Sequence, residues 1–133
     1  MNILLKTNES AENYLETILI LHQRNGSVRS IDIANELDFS KPSVSVTMKN
    51  LRENGYLVMD GNGAITLTEK GMKIAETMYE RHQLLSDWLV RLGVDKTTAV
   101  TDACRMEHVI SAKSFDAIKN HVKTREKGSP SQE

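Results

Sequence analysis

The chain is expected to fold as a mainly α protein carrying one β-hairpin, on three observations. Apolar residues recur at helical spacing through most of its length, and only two short segments, on either side of Asp60-Gly61-Asn62-Gly63, read as strands. Aromatics make up only 5% of the 133 residues, which suits helices packed through Leu, Ile, Val and Met better than a β-sandwich. At this length the chain forms one compact unit, or two small subdomains that share a helix.

The first helix is predicted to follow Ser10 as N-cap and to run to about Arg24, with Tyr14, Leu15, Ile18, Leu19 and Leu21 as its apolar face and Asn25-Gly26 as its stop. A short second helix follows Ser30 as cap, through Ile31, Ile33, Ala34 and Leu37. Asp38, Phe39 and Ser40 then make a tight connection to Lys41-Pro42, because proline is tolerated in the first helical turn, where N–H groups lack partners anyway. The third helix buries Val44, Met48 and Leu51 at i, i+4 and i+7 and stops at Gly55. Tyr56 to Met59 and Ala64 to Leu67 are the strands, and Asn62-Gly63 is a strong hairpin signal. Helix, short helix, turn, helix and hairpin is the order of a winged helix-turn-helix.

Thr68 is placed to cap a long fourth helix, Glu69 to Leu92, whose apolar stripe of Ile74, Met78, Leu85, Leu89 and Leu92 also contains His82. Gly93 ends it, and Asp95 to Thr101 reads as a connection with at most a helical turn. A fifth helix carries Ala103, Cys104, Met106, Glu107, His108, Val109 and Ile110, and a last one runs from about Ser114 to Lys123 through Phe115, Ile118 and Val122. Residues 124–133 have nothing apolar to bury and read as a disordered tail. The expected division is a DNA-binding winged helix-turn-helix at 1–74, an all-α unit at 75–123 and the tail. No segment is long and apolar enough to span a membrane, and Met1 to Leu5 is too short for a signal-peptide core, so a reducing, cytoplasmic setting is expected.

A net charge of −1 gives no global sign of a nucleic-acid partner, but charge is arranged locally. Between Phe39 and Arg52 stand the cations Lys41, Lys49 and Arg52 and no acid. In a helix-turn-helix the second helix enters the major groove and its N-terminal residues meet base edges, here Ser40, Lys41, Pro42, Ser43 and Val46. Thr47, Lys49, Arg52 and Arg29 suit phosphate. None of the base-facing residues is an Asn or Gln able to read adenine bidentately, so each base is read modestly and DNA shape contributes. The competing reading is a solvated helix in a protein-binding winged helix.

Cys104 is the only cysteine, so no disulfide forms within the chain and the thiol packs, reacts or ligates. Cys104, Glu107 and His108 occupy i, i+3 and i+4 of one helix, which turns a thiol, a carboxylate and an imidazole to the same side. That is a metal-donor pattern, although a small buried thiol beside solvated neighbours has the same spacing. His82 is either a satisfied residue of an apolar stripe or a fourth donor.

The residues quoted above, together with Ala11-Glu12-Asn13-Tyr14-Leu15-Glu16, Ser40 to Leu51, Leu67-Thr68-Glu69-Lys70-Gly71, Arg81-His82-Gln83-Leu84-Leu85 and Asp102 to Val109, make the chain resemble a known family from residue 8 to 123. It is the diphtheria-toxin-repressor and manganese-transport-regulator family of metal-activated transcriptional repressors. The resemblance implies metal ligands at Asn13, Glu16, His82, Cys104, Glu107 and His108. Cys104 matches the iron-responsive branch and Glu16 the manganese branch, while Asn13 stands where the family commonly has Asp or Met. Ser86 and Val100 replace the Glu and His of an ancillary site, Val46 replaces a polar base-contacting residue, and an SH3-like third domain is not expected.

One divalent ion shared by Glu16, His82 and the Cys104 group would orient the DNA-reading half against the rest, and in a homodimer would set two recognition helices about 34 Å apart for a palindromic double-stranded operator. Thiolate and imidazole favour softer ions, carboxylates and an amide favour Mn²⁺ or Fe²⁺, and the expected cofactor is Fe²⁺ with Mn²⁺ as the alternative. Dimerisation is expected through the fifth helix, using Met106, Val109 and Ile110. Two rival readings remain: a winged-helix regulator without metal that senses an organic ligand or oxidation of Cys104, and a metalloenzyme with Glu107 as general base. No nucleophile motif or cofactor fingerprint accompanies the cluster, so no organic substrate is expected.

Overall fold

A computed structural model describes residues 2–132, with side chains described for 9–125. Among these, the elements are α1 (Asn2–Asn25), α2 (Ser30–Leu37), α3 (Lys41–Glu53), β1 (Leu57–Met59), β2 (Ile65–Leu67), α4 (Glu69–Arg91), α5 (Lys96–Val109) and α6 (Ala112–Gln132). The chain is mainly α, with the winged helix-turn-helix order at its N-terminal end. It divides into residues 1–79 and 80–133, a boundary that falls inside α4.

In the first unit the predicted apolar faces meet in one core: Tyr14, Leu15, Ile18, Leu19 and Leu21 of α1, Ile33 and Ala34 of α2, and Val44, Met48 and Leu51 of α3, closed by Leu57 and Ile65 of the hairpin. Asp38 caps α2 in the left-handed conformation (φ 58°), a geometry that Asp tolerates better than most residues and that turns the chain sharply toward α3. Ser40 caps α3 by accepting from the Ser43 N–H at 3.3 Å, with Pro42 in the first turn as expected. The strands pair antiparallel in the register Leu57 with Leu67, Val58 with Thr66 and Met59 with Ile65. In the wing turn the Asp60 carboxylate accepts from the Asn62 and Ala64 N–H groups at 2.8 and 3.0 Å, and the Ala64 bond first, then the Asn62 bond, hold its pKa below the usual carboxylate value. The wing is tied back by the Ile65 N–H to the Val28 carbonyl at 2.8 Å.

The start of α4 is seated tightly on the turn after α3. Thr68 Oγ1 donates to the Gly55 carbonyl at 2.6 Å, its N–H donates to the Tyr56 carbonyl at 3.0 Å, and Lys70 Nζ reaches the Asn54 carbonyl at 3.1 Å while lying 4.3 Å from the centre of the Tyr56 ring. Gly71 makes this seat possible, because a Cβ there would stand 2.0 Å from the Tyr56 carbonyl oxygen.

The second unit packs Leu85 of α4, Ala103 of α5 and Phe115 of α6, with Leu84, Trp88, Met106, Ile110 and Ile118 around them. Met106 and Ile110, expected at a dimer face, therefore pack within the chain, whereas Val109 is 70% exposed.

Helix bounds differ from expectation in α1, α2, α5 and α6. α2 takes in Ser30, with Arg29 as its N-cap, because the Asp32 carboxylate accepts from the Arg29 N–H at 2.9 Å. α1 starts at Asn2, not after Ser10, because polar residues sit in a helix interior at small cost and need not mark its end. α5 starts at Lys96, so the segment expected as a connection is helical: the Asp95 carboxylate accepts from the Thr98 N–H at 3.0 Å, and Ala99 is fully buried, which together outweigh the modest helix propensity of Thr97, Thr98 and Thr101. α6 extends to Gln132, past Lys123 and through the segment assigned on composition to a disordered tail.

Replacing a helical glycine by alanine normally stabilises by about 1 kcal/mol. Gly71→Ala should do the opposite, destabilising by about 1–3 kcal/mol as forced overpacking does, read as a lower urea midpoint; a raised midpoint would show that the seat of α4 yields freely.

Candidate metal centre

α3 presents the residues expected to read DNA on its exposed side. Ser40, Lys41, Pro42, Ser43, Lys49 and Arg52 are exposed, Thr47 is half-buried, and Val46 is 61% exposed. Ser40 Oγ donates to Ser43 Oγ at 2.9 Å while accepting the Ser43 N–H, so the Ser40 hydroxyl is committed to the helix cap and the Ser43 hydroxyl keeps its own proton for a ligand. Thr47 Oγ1 donates to the Ser43 carbonyl at 3.1 Å. Arg29, expected at phosphate, is placed against the wing, where Nη1 donates to the Asn62 carbonyl and leaves other guanidinium donors available.

In the second unit, Ala99, Ala103 and Glu107 recur every four residues on α5, and all three are fully buried. Two small side chains followed by a carboxylate let the helix pack closely and carry a charge into the interior, which costs several kcal/mol unless the charge is compensated. The compensation comes from two neighbouring histidines. His82 Nδ1 lies 2.9 Å from Glu107 Oε1, and His108 Nε2 lies 3.4 Å from Oε2, so one carboxylate sits between two imidazoles from different helices. The His82 and His108 side chains are 21% and 8% exposed against 0% for Glu107. Cys104 is exposed, at the rim, and its Sγ lies with a Glu107 oxygen and a His108 ring nitrogen within 4.8 Å of one another.

This donor set fits a divalent transition ion. Ligand atoms about 2.0–2.3 Å from a common ion can be no more than about 4.6 Å apart, close to the spacing present. A carboxylate, two imidazoles and a thiol also supply anionic and borderline donors together. Of the six ligands expected, His82, Cys104, Glu107 and His108 are thus gathered in the second unit. Asn13 and Glu16 lie one turn apart on α1 in the first unit, where Glu16 is buried and the Asn13 carbonyl accepts the Thr17 hydroxyl at 2.8 Å. At the positions linked to an ancillary site, Ser86 donates to the Gln83 carbonyl at 3.3 Å and Val100 is exposed, and neither is a strong metal donor.

Arg81 is read in the sequence only as part of the Arg81-His82-Gln83-Leu84-Leu85 stretch, with no role of its own. Its Nη1 donates to the backbone carbonyls of Glu107 and Ile110, each at 2.9 Å, and its guanidinium lies 5.5 Å from the centre of the Phe115 ring. The available signal was its place beside His82.

A winged helix-turn-helix followed by a helical unit with such a donor cluster defines a DNA-binding regulator governed by a metal ion. Residues 6–65 match the iron dependent repressor N-terminal DNA binding domain, and residues 68–131 match the iron dependent repressor metal binding and dimerisation domain. The chain belongs to this family of metal-dependent transcriptional repressors, and so is a regulator and not an enzyme. It is 35% identical over 117 residues to the HTH-type transcriptional regulator MntR of Lysinibacillus sphaericus, spanning 88% of this chain and 84% of that one. With MntR of Shouchella clausii the identity is 38% over 109 residues, spanning 82% and 76%. Among solved structures, a manganese-dependent transcriptional repressor in complex with manganese matches with a TM-score of 0.77 and 28% identity, covering 85% of this chain and 52% of that one, so this chain spans about half of that protein's length.

Mn²⁺ at about a hundred times its Kd should stabilise the protein by about 2.7 kcal/mol, seen as a rise in Tm that EDTA reverses. Glu107→Gln, which keeps the volume and removes the charge, should lose that rise; a full rise in the variant would place the ion elsewhere.

Proposed function

We propose that this chain represses transcription as a cytoplasmic homodimer on a palindromic double-stranded operator when a divalent ion, Fe²⁺ in the first place and Mn²⁺ in the second, is held by His82, Cys104, Glu107 and His108 with Asn13 and Glu16 as further donors. The observation that carries this reading is the fully buried Glu107 carboxylate between two imidazoles with a thiol at the rim. When bound, the ion supplies a positive charge and shared ligation, which favour the DNA-competent arrangement only as far as that arrangement binds the ion better. The chain's own residues do the rest. Glu107 holds the two imidazoles at the metal-binding site, and Cys104 adds an anionic donor from the solvent side.

For DNA, Ser43 and Val46 are suited to base edges by an available hydroxyl and an exposed methyl pair, while Lys41 and Pro42 flank them and Ser40 sets the helix end. Lys49, Arg52 and Thr47, with the remaining donors of Arg29, are suited to phosphate. Fe²⁺ is put first because a thiol occupies a position where a carboxylate would favour a harder ion. Mn²⁺ is the second reading on the strength of the manganese named for the solved repressor and the MntR relatives.

Anaerobic mobility shifts on operator DNA should show tighter binding with Fe²⁺ or Mn²⁺ than with EDTA, and Cys104→Glu should move the preference toward Mn²⁺. Unchanged DNA affinity with every ion would end the co-repressor reading. Arg52→Ala should weaken binding to all sequences alike and reduce the slope of log K against log salt by about 0.9; a change in sequence preference alone would show that Arg52 reads bases.

A further inference from the structure

We infer that Arg81 is the positioning residue of the metal centre, fixing the end of α5 so that Glu107 and His108 stand ready opposite His82; this rests on the proposed function above. Arg81 and His82 are neighbours on one turn of α4, and both act on Glu107. His82 meets its carboxylate at 2.9 Å, whereas Arg81 Nη1 holds its backbone carbonyl at 2.9 Å and that of Ile110 at the same distance.

Those carbonyls belong to the last turn and cap of α5. The last four C=O groups of a helix have no intrahelical donor, and the helix end carries partial negative charge, so an unanchored final turn frays. Glu107 and His108 sit in that turn. A guanidinium placed there supplies both the missing donor and a charge of the right sign. It is itself held, since the Phe115 ring lies 5.5 Å away and Phe115 is only 4% exposed. The chain from Phe115 to Arg81 to the α5 end therefore sets where two of the ligands stand before any ion arrives. His82 gains the same benefit, because its spacing from Glu107 depends on the same α4 to α5 contact.

Packing offers another explanation. Leu85, Ala103 and Phe115 also join the three helices, and a purely structural Arg81 would serve that packing without serving the centre. The two roles separate in what they move. A packing role shifts the melting temperature; a positioning role shifts metal affinity and the spectrum of the bound ion.

The test compares the full chain with Arg81→Met and Arg81→Lys, using Mn²⁺ for affinity by titration calorimetry and Co²⁺ for its visible ligand-field and thiolate bands. Arg81→Met should raise the Mn²⁺ Kd about 10- to 100-fold and alter the Co²⁺ bands at saturation. Arg81→Lys, whose ammonium can still donate to both carbonyls, should recover most of the affinity. Wild-type affinity and wild-type Co²⁺ bands in Arg81→Met overturn the inference, whatever happens to its Tm. If Arg81→Met does not fold by circular dichroism, Arg81→Gln, with a donor but no charge, is judged by the same tenfold threshold. Failure of the unmutated chain to bind either ion would overturn the proposed function and this inference with it, a result distinct from binding that is merely indifferent to Arg81.

Discussion

A carboxylate with no exposed surface, at the end of a helix, is the constraint around which the second unit is built. Glu107 cannot be left bare: the effective penalty for burying a charge is several kcal/mol, and the surrounding groups have to supply what water would have supplied. His82 and His108 take one oxygen each. Ala99 and Ala103 lie on the same stripe of α5 and, being small, leave room for the helix to close on its neighbours. A hydrophobic residue at 107 would pack at less cost, so the carboxylate is better explained by a ligand than by stability. The match of residues 68–131 to a metal binding and dimerisation domain agrees with the metal role proposed for it.

In the first unit a different constraint dominates, the close approach of two backbones. α3 is fixed from below by Val44, Met48 and Leu51 and at its end by the seat of α4, where Thr68, Lys70 and Gly71 all engage residues 54–56. The exposed side of α3 is free of these duties. That separation leaves the outward-facing side chains available for the proposed DNA contacts, because none of Lys41, Val46, Lys49 or Arg52 is needed for the core.

Much of this was legible from residue order. The i, i+4, i+7 stripe of α3, the hairpin about Asn62-Gly63 and the Cys104, Glu107, His108 spacing each depend on local periodicity, and each is seen in the structure. What was missed depends on partners distant in sequence. The first turns of α5 hold three threonines and no apolar rhythm, and become helical because Ala99 is buried against other elements. Met106 and Ile110 read as open to a partner on α5, and the structure half-buries both beside Leu85, Ala103 and Phe115. Arg29 reads as a phosphate contact, and nothing in its sequence neighbourhood shows that one of its guanidinium donors is taken by the wing carbonyl of Asn62. A single arginine beside His82 gives no sign that its partners are backbone carbonyls 26 and 29 residues later.

The two anionic donors of the α5 cluster differ in how freely they can change. Glu107 is enclosed, and a substitution there disturbs His82, His108 and the packing of α5 together. Cys104 stands at the exposed rim on the same side, where, on the proposed ligation, replacing the thiol by a carboxylate would alter the preferred ion and leave the interior untouched. On that proposal the metal preference can be retuned at one rim position while the buried carboxylate keeps the same task. On the proposed ligation, a thiol stands at this rim position in a chain that is 35% and 38% identical to two regulators named MntR. On that proposal selectivity sits at an exposed position outside the core, where a change of donor leaves the packing of α5 in place.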